Sequence, residues 1–98
     1  MITHIVLFKF KDDTTKIEIE KAKNMIEALN QSVPTLEQIE VGINFADEGR
    51  AMDMSLIATF IDREGLDEYA QHPVHLEVIS YIKSIADYTK VVDYETQD

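Results

Sequence analysis

The chain has 98 residues, of which 19 are acidic and nine are basic, so its formal net charge is −10. A field of this sign repels phosphate backbones and anionic lipid, so neither nucleic acid nor a membrane surface is an expected partner. The chain has no cysteine, which excludes disulfides and thiol nucleophiles. No apolar stretch approaches the roughly 18 residues of a membrane span, and a secretory leader is not recognisable, so we expect a cytoplasmic protein.

The first predicted element is a β-strand over residues 3–11, rich in β-branched and aromatic side chains. One face of this strand carries a histidine and three apolar side chains, His4, Val6, Phe8 and Phe10. The other face begins with Ile5 and Leu7. Because both faces are apolar, the strand needs cover on both sides.

An amphipathic helix is predicted next, between candidate N-caps at residues 12–15 and Pro34. Its apolar stripe follows helical spacing and consists of Ala22, Met25, Ile26, Leu29 and Val33. Since proline disfavours helical geometry in the preceding residue, the helix is expected to end at about Val33.

Two strands follow, over residues 39–45 and 52–61, with a polar turn between them. In the first of these, one face is apolar and carries Ile39, Val41, Ile43 and Phe45. The second is apolar on both faces, with Met54, Leu56, Ala58 and Phe60 opposite Ile57 and Ile61.

The last third of the chain predicts a short helix over residues 66–71, a second helix that begins at His72-Pro73, and a strand over residues 88–95. The buried stripe of the second helix is predicted to be Leu76, Ile79, Ile82 and Ala86, with Val78 and Ile85 at its margin. Residues 96–98 are predicted to be a frayed end.

This order of elements predicts an α+β, ferredoxin-like βαββαβ fold with a four-stranded antiparallel sheet, in a single domain over residues 1–98. The helices of such a fold cover one face of the sheet only. Ile5, Leu7, Ile57 and Ile61 would share the other face, a larger apolar patch than soluble monomers usually expose. We therefore expect a homodimer packed through this sheet face. Scattered surface apolar residues are the alternative.

Residues 65–75 hold the most informative cluster, with Tyr69, His72 and His75 close together. On one continuous helix the two histidines would share a side, and His4 of the first strand can face the same cavity. Imidazole exchanges protons near neutrality and a phenol donates to a developing oxyanion, which suits proton abstraction beside a carbonyl. The structural alternative makes His72 an N-cap, His75 a half-buried hydrogen-bonded residue and Tyr69 a core aromatic.

A metal site is the other hypothesis for the three histidines, since neutral imidazoles bind zinc or copper. No acidic residue beside them in the sequence completes a ligand set, and only Asp93 or Glu95 of the last strand would approach them. We therefore predict no metal and no other cofactor.

Three segments resemble the stress-responsive A/B-barrel (Dabb) domain family: residues 4–11, 69–75 and 91–95. The resemblance covers essentially the whole chain, and its most diagnostic part is the spacing of Tyr69, His72-Pro73 and His75. It implies a dimeric α+β barrel, in which two ferredoxin-like subunits pack their sheets together. That is the same dimer which the two-faced strands predict.

Most members of this family have no assigned activity, and several are associated with stress responses. The resemblance therefore implies a stress-responsive domain that binds a small apolar or carbonyl-containing ligand between sheet and helices. A polyketide-cyclase branch closes rings by aldol chemistry without a cofactor. Its acid–base pair falls on Tyr69 and His75, and a further pocket histidine falls on His4.

This chain departs from the cyclase branch at Met54, where that branch has a histidine, so the same substrate is not expected. We expect His4, His72 and Met54 to line the pocket around Tyr69 and His75. Two hypotheses follow, a binding protein of unassigned activity and a cofactor-independent lyase or cyclase. A relationship to the small monooxygenases that share the barrel is a third, for which no residue argues.

Overall fold

A four-stranded antiparallel sheet organises the chain, and a computed structural model describes residues 1–96. The elements are, in chain order, β1 (Ile2–Phe10), α1 (Lys16–Ser32), β2 (Leu36–Ile43), β3 (Met54–Phe60), α2 (Arg63–Gln71), α3 (Pro73–Ile85) and β4 (Ala86–Glu95). The strand order across the sheet is β2-β3-β1-β4, and every neighbouring pair is antiparallel. The predicted ferredoxin-like architecture is confirmed.

Helix α1 begins and ends where the sequence predicts. Thr15 is its N-cap: the Thr15 hydroxyl accepts from the Glu18 N–H while the Glu18 carboxylate accepts from the Thr15 N–H. This reciprocal capping box satisfies two backbone donors that the helix itself leaves without partners. At the other end Val33 is the C-cap, and its N–H donates to the Leu29 carbonyl. Ala22, Ile26 and Leu29 are buried and attach the helix to the sheet.

Strand β2 ends earlier than its alternating pattern predicts. The Asn44 side chain hydrogen-bonds both the N–H and the carbonyl of Ala46, and this local turn takes the chain out of the sheet. Phe45, predicted on the buried face, is fully exposed. The alternation of apolar and polar residues continues to Phe45, two residues beyond the end of the strand at Ile43. The prediction for Phe45 is therefore wrong.

The break between α2 and α3 sets which side of α3 faces the sheet. The His72 Nδ1 accepts from the Val74 N–H at 3.1 Å, and Pro73 occupies the first turn of the new helix. Because the helical path restarts here, the phase of α3 does not follow from that of α2. Its buried residues are Val78, Ile82 and Ile85. Leu76 is 52% exposed, so its predicted place in the buried stripe is wrong.

The two faces of the sheet differ in cover. On the face beneath the helices, the central strands bury Phe8, Met54, Leu56, Ala58 and Phe60 to at most 4% exposure. The opposite face, called the bare face below, carries apolar side chains that are 36–53% exposed: Leu7, Ile57, Tyr88, Val92 and Tyr94. Of the predicted patch, Leu7 and Ile57 are exposed on this face and Ile5, which pairs with Ile57, is half-buried there, whereas Ile61 is 66% exposed beyond the end of β3. An uncovered surface with apolar side chains is therefore present on the single chain.

The end of the chain is held more firmly than predicted, as far as it is described. The Thr96 N–H donates to the Met1 carbonyl at 2.8 Å, and the Thr96 hydroxyl hydrogen-bonds the Thr3 hydroxyl at 2.6 Å. Thr96 is therefore not frayed, and the rest of the predicted frayed end, residues 97–98, lies outside the described residues. Within residues 1–96, no helix has both the length and the apolar character needed to cross a membrane.

Candidate functional site

A cavity of about 500 Å³ lies between the sheet and the helices. Most of its wall is apolar and comes from β1, α1, β3 and α3: Val6, Phe8, Ile26, Leu29, Leu56, Val78, Ile79 and Ile82. Thr89 and Val91 of the edge strand β4 also line it, and Val91 is 62% exposed. The cavity therefore opens to solvent between α3 and β4. Its size and lining are those of a small-molecule site.

Tyr69 of α2 is the largest buried side chain that reaches this cavity. It is 1% exposed, and its ring packs against that of Phe60 with a centroid distance of 5.0 Å. The tyrosine hydroxyls that form hydrogen bonds within residues 1–96 belong to Tyr81 and Tyr88, so the Tyr69 hydroxyl makes none there. Burial raises the pKa of Tyr69 to about 12, so the phenol keeps its proton at neutral pH. A protonated hydroxyl that makes no hydrogen bond within the described residues is available to a ligand oxygen.

His75, in the first half of α3, lies beside this phenol. The centroids of the Tyr69 and His75 rings are 4.2 Å apart. The Nδ1 of His75 is 3.2 Å from the Ala70 carbonyl oxygen, which can only accept, so Nδ1 carries the proton and Nε2 is free in the neutral ring. Burial lowers the pKa of His75, the hydrogen bond to Ala70 opposes this, and the positive charges of His4 and His72 reinforce it. A neutral imidazole at pH 7 can accept a proton.

His4 reaches the cavity from the sheet, and a carboxylate fixes its orientation. Asp93 lies opposite His4 in the β1–β4 register, and its carboxylate pairs with the His4 Nδ1. A carboxylate accepts, so the shared proton lies on Nδ1 when His4 is neutral, and Nε2 is left unprotonated. The His4 ring meets that of Tyr69 edge-on at 6.0 Å. The imidazole side chain is 14% exposed and the carboxylate 44% exposed, so the pair connects the cavity to the surface.

Sequence reasoning considered Asp93 only as a candidate metal neighbour and missed this pairing. The sequence does allow this pairing, because His4 and Asp93 lie opposite each other, on the face of the sheet that the helices cover, if the first and last strands pair in this register. The register itself cannot be deduced from alternation alone.

The structure places His72 and Met54 outside the lining of this cavity. The Nδ1 of His72 caps α3, as the structural alternative for this residue predicts. Met54 is 2% exposed and belongs to the core at the far end of β3. Within the described part of the chain, His, Asp and Glu side chains do not gather into a set of three that would hold a metal ion.

The whole fold and the segment that carries the site match one known family. The family model for the stress responsive A/B barrel domain matches residues 2–96. The chain belongs to this family. The resemblance in its opening strand, its Tyr-His segment and its closing strand is thereby confirmed, and those three segments supply His4, Tyr69, His75 and Asp93 to the site.

The proteins to which this chain is similar differ in how much is known of them. A stress-response A/B barrel domain-containing protein of Arabidopsis thaliana is 30% identical over 95 residues, which are 96% of this chain and 36% of that protein. The chain therefore spans about a third of the length of that curated relative. A Bacteroides fragilis protein of unknown function, described as dimeric and ferredoxin-like, is 29% identical with a TM-score of 0.82, over 97% of this chain and 95% of that one.

The hydroxynitrile lyase of Passiflora edulis has a TM-score of 0.88 over 99% of this chain and 94% of its own, at 16% identity. At this identity the likeness shows the shared fold alone. The same fold therefore occurs in an enzyme and in a protein of unknown function, so the function of this chain must be argued from its site.

Proposed function

We propose that this A/B barrel domain binds a small carbonyl compound in the cavity between α3 and the sheet, and that Tyr69 and His75 transfer a proton to and from it without a cofactor. The observation that carries the proposal is the Tyr69 hydroxyl, which makes no hydrogen bond within residues 1–96, beside a neutral His75 in an apolar cavity. The apolar wall supports binding of a hydrocarbon body, and the two polar groups support recognition of its carbonyl.

The proposed reaction begins with the ligand carbonyl oxygen accepting a hydrogen bond from the Tyr69 hydroxyl. The free Nε2 of His75 takes a proton from the carbon next to the carbonyl. The electron pair of that C–H bond forms a carbon–carbon double bond, and the π electrons of the carbonyl move onto its oxygen. The phenol donates to the resulting enolate oxygen, where the charge develops. The imidazolium then returns its proton to the product. A lyase or a cyclase is completed when the enolate expels a group or attacks a second carbonyl.

Binding alone is tested with the apolar fluorophore N-phenyl-1-naphthylamine. Ile79 lines the cavity and is half-buried, so Ile79→Trp should fill part of the space and weaken fluorophore binding at least about tenfold. Leu76→Trp is the matched control, because Leu76 is on the same helix, 52% exposed and outside the lining. If wild type and both variants bind equally or not at all, the cavity is not a ligand site.

Catalysis is tested by deuterium incorporation next to the carbonyl of 2-octanone in D₂O, followed by NMR. We expect wild type to accelerate exchange over buffer, and Tyr69→Phe to lose roughly a hundredfold or more of that acceleration. Tyr81→Phe is the control, since the Tyr81 hydroxyl donates to the Glu18 carbonyl and lies outside the cavity lining. Fluorophore binding without any exchange would leave a binding protein and overturn the catalytic part.

The bare face supports a second proposal, which concerns assembly. It carries exposed apolar side chains from β1, β3 and β4, with Lys9 and Lys90 towards one end, and the Bacteroides fragilis relative is dimeric. A second copy of this chain, packed sheet to sheet about a two-fold axis, would remove this surface from water. The cavity lies on the opposite side of the sheet, so each subunit keeps its own site accessible.

A further inference from the structure

The cavity runs along α3 and has two chemically different ends. His75 and Lys83 both line it and are eight residues apart on that helix, which corresponds to roughly 12 Å along the axis. Strand β4 contributes a carboxylate at each of these two ends. Asp93 pairs with His4 near one end, and Asp87 lines the cavity near the other. One end therefore holds the phenol and imidazoles, and the other holds an ammonium and a carboxylate.

Lys83 differs from almost every other cation of this acidic chain in having no partner. The others form ion pairs, donate to a carbonyl or lie over a tyrosine ring: Lys9, Lys11, Lys21, Lys23, Arg50, Arg63 and Lys90. As far as residues 1–96 show, Lys83 and Lys16 make none of these contacts. Lys16 lies at the start of α1, away from the cavity, whereas Lys83 lines it.

An ammonium group without a partner at the edge of an apolar cavity can bind a negative charge on a molecule that occupies the cavity. We propose that Lys83 binds the carboxylate of an amphipathic ligand whose hydrocarbon body extends towards Tyr69 and His75. This inference rests on the proposed function and narrows its substrate class to oxo acids with carboxylate and carbonyl at opposite ends. The span of about 12 Å corresponds to a chain of roughly eight to ten carbon atoms.

Asp87 carries the opposite charge at the same end of the cavity, so its substitution should have the opposite effect on carboxylate binding. It lines the cavity with Lys83, yet no carboxylate oxygen lies within 4 Å of the Lys83 ammonium in the described residues. A bound carboxylate would feel attraction from Lys83 and repulsion from Asp87. Asp87→Asn should therefore strengthen carboxylate binding, and Lys83→Gln should weaken it.

The experiment measures displacement of N-phenyl-1-naphthylamine by decanoate and by 1-decanol, which share a chain length but differ in charge. Lys83→Gln should weaken decanoate binding about threefold to tenfold and leave 1-decanol unchanged. Lys83→Arg should retain decanoate binding, and the matched control Lys16→Gln should behave as wild type. Raising the NaCl concentration to about 0.5 M should shrink the difference between wild type and Lys83→Gln.

The possible failures are distinguishable. If both competitors displace the fluorophore and Lys83→Gln changes neither, the carboxylate inference is wrong and the ligand cavity stands. If Lys83→Gln weakens both competitors equally, Lys83 acts on packing and the inference is again wrong. If wild type does not bind the fluorophore at all, the proposed function fails and the inference fails with it.

Discussion

The two faces of the same sheet are built from alternate residues of the same strands, and they are suited to different tasks. On the helical face, His4 and Val6 look into a cavity that also receives Tyr69 and His75. On the bare face, Leu7 and its neighbours present exposed apolar side chains, and the three histidines of the chain lie elsewhere. Successive side chains of a strand point to opposite faces of the sheet. Neighbouring residues of one strand can therefore belong to a surface suited to dimer formation and to a ligand cavity.

The largest effect is expected on the bare face. Ile57 is 36% exposed in the single chain and would be buried at a sheet-to-sheet interface. Ile57→Asp would bury a carboxylate without a partner, at a cost of roughly 3 kcal/mol or more. We expect sedimentation at tens of micromolar to give a dimer for wild type and a monomer or unfolded chain for the variant.

The control for this interface is Ile17→Asp, because Ile17 is 82% exposed on α1 and lies away from the bare face. It should sediment as wild type does. A wild-type monomer at these concentrations would refute the dimer while leaving the cavity proposal intact.

The next effect concerns the helical face and depends on pH. Because the pKa of His75 is lowered, the imidazole stays neutral further into acid, and the acid-side fall of ketone exchange should have its midpoint below pH 6.5. Because the pKa of Tyr69 is about 12, no alkaline loss is expected until the pH approaches that value. A midpoint of the acid limb above 6.5 would contradict His75 as the base.

The same lowered pKa has a consequence for folding. The unfolded chain binds a proton at His75 more readily than the folded one does, so His75 favours the folded state fully above pH 6.5. This contribution should be lost as the pH falls from 6.5 through the folded-state pKa. His75→Ala should remove this part of the pH dependence of stability.

The smallest effects should separate the two histidines that are three residues apart. His72→Ala removes the side-chain cap of α3 and should cost about 1 kcal/mol, or a melting temperature about 4–8 °C lower. His75→Ala should change the stability at pH 7 by less than about 0.5 kcal/mol if that residue serves the cavity. A loss of about 1–3 kcal/mol in His75→Ala would instead assign it to the structure.

Much of the fold could be predicted because alternation and helical spacing report burial directly. The apolar rows of β1 and β3, the stripe of α1 and its end before Pro34 all follow from this rule. The rule failed at Phe45, because an alternating pattern does not report where backbone pairing stops. It also failed at Leu76, because the face of α3 depends on where His72 and Pro73 restart the helix.

The candidate site was less predictable than the fold because it depends on contacts between distant segments. The spacing of Tyr69 and His75 drew attention to them, and the structure brings their rings together. The pairing of His4 with Asp93 depends on a strand register, and the place of Lys83 at the cavity rim depends on the phase of α3. Neither quantity is carried by a local sequence pattern.

The break at His72 lets α2 and α3 pack against the sheet independently of each other. Val78, Ile82 and Ile85 fix the rotation of α3, and the buried Tyr69 fixes that of α2. The connection between the helices therefore does not set which way their side chains point. Related chains with a longer or shorter connection should still present phenol and imidazole side by side, and the presence of that pair is the feature by which to sort them.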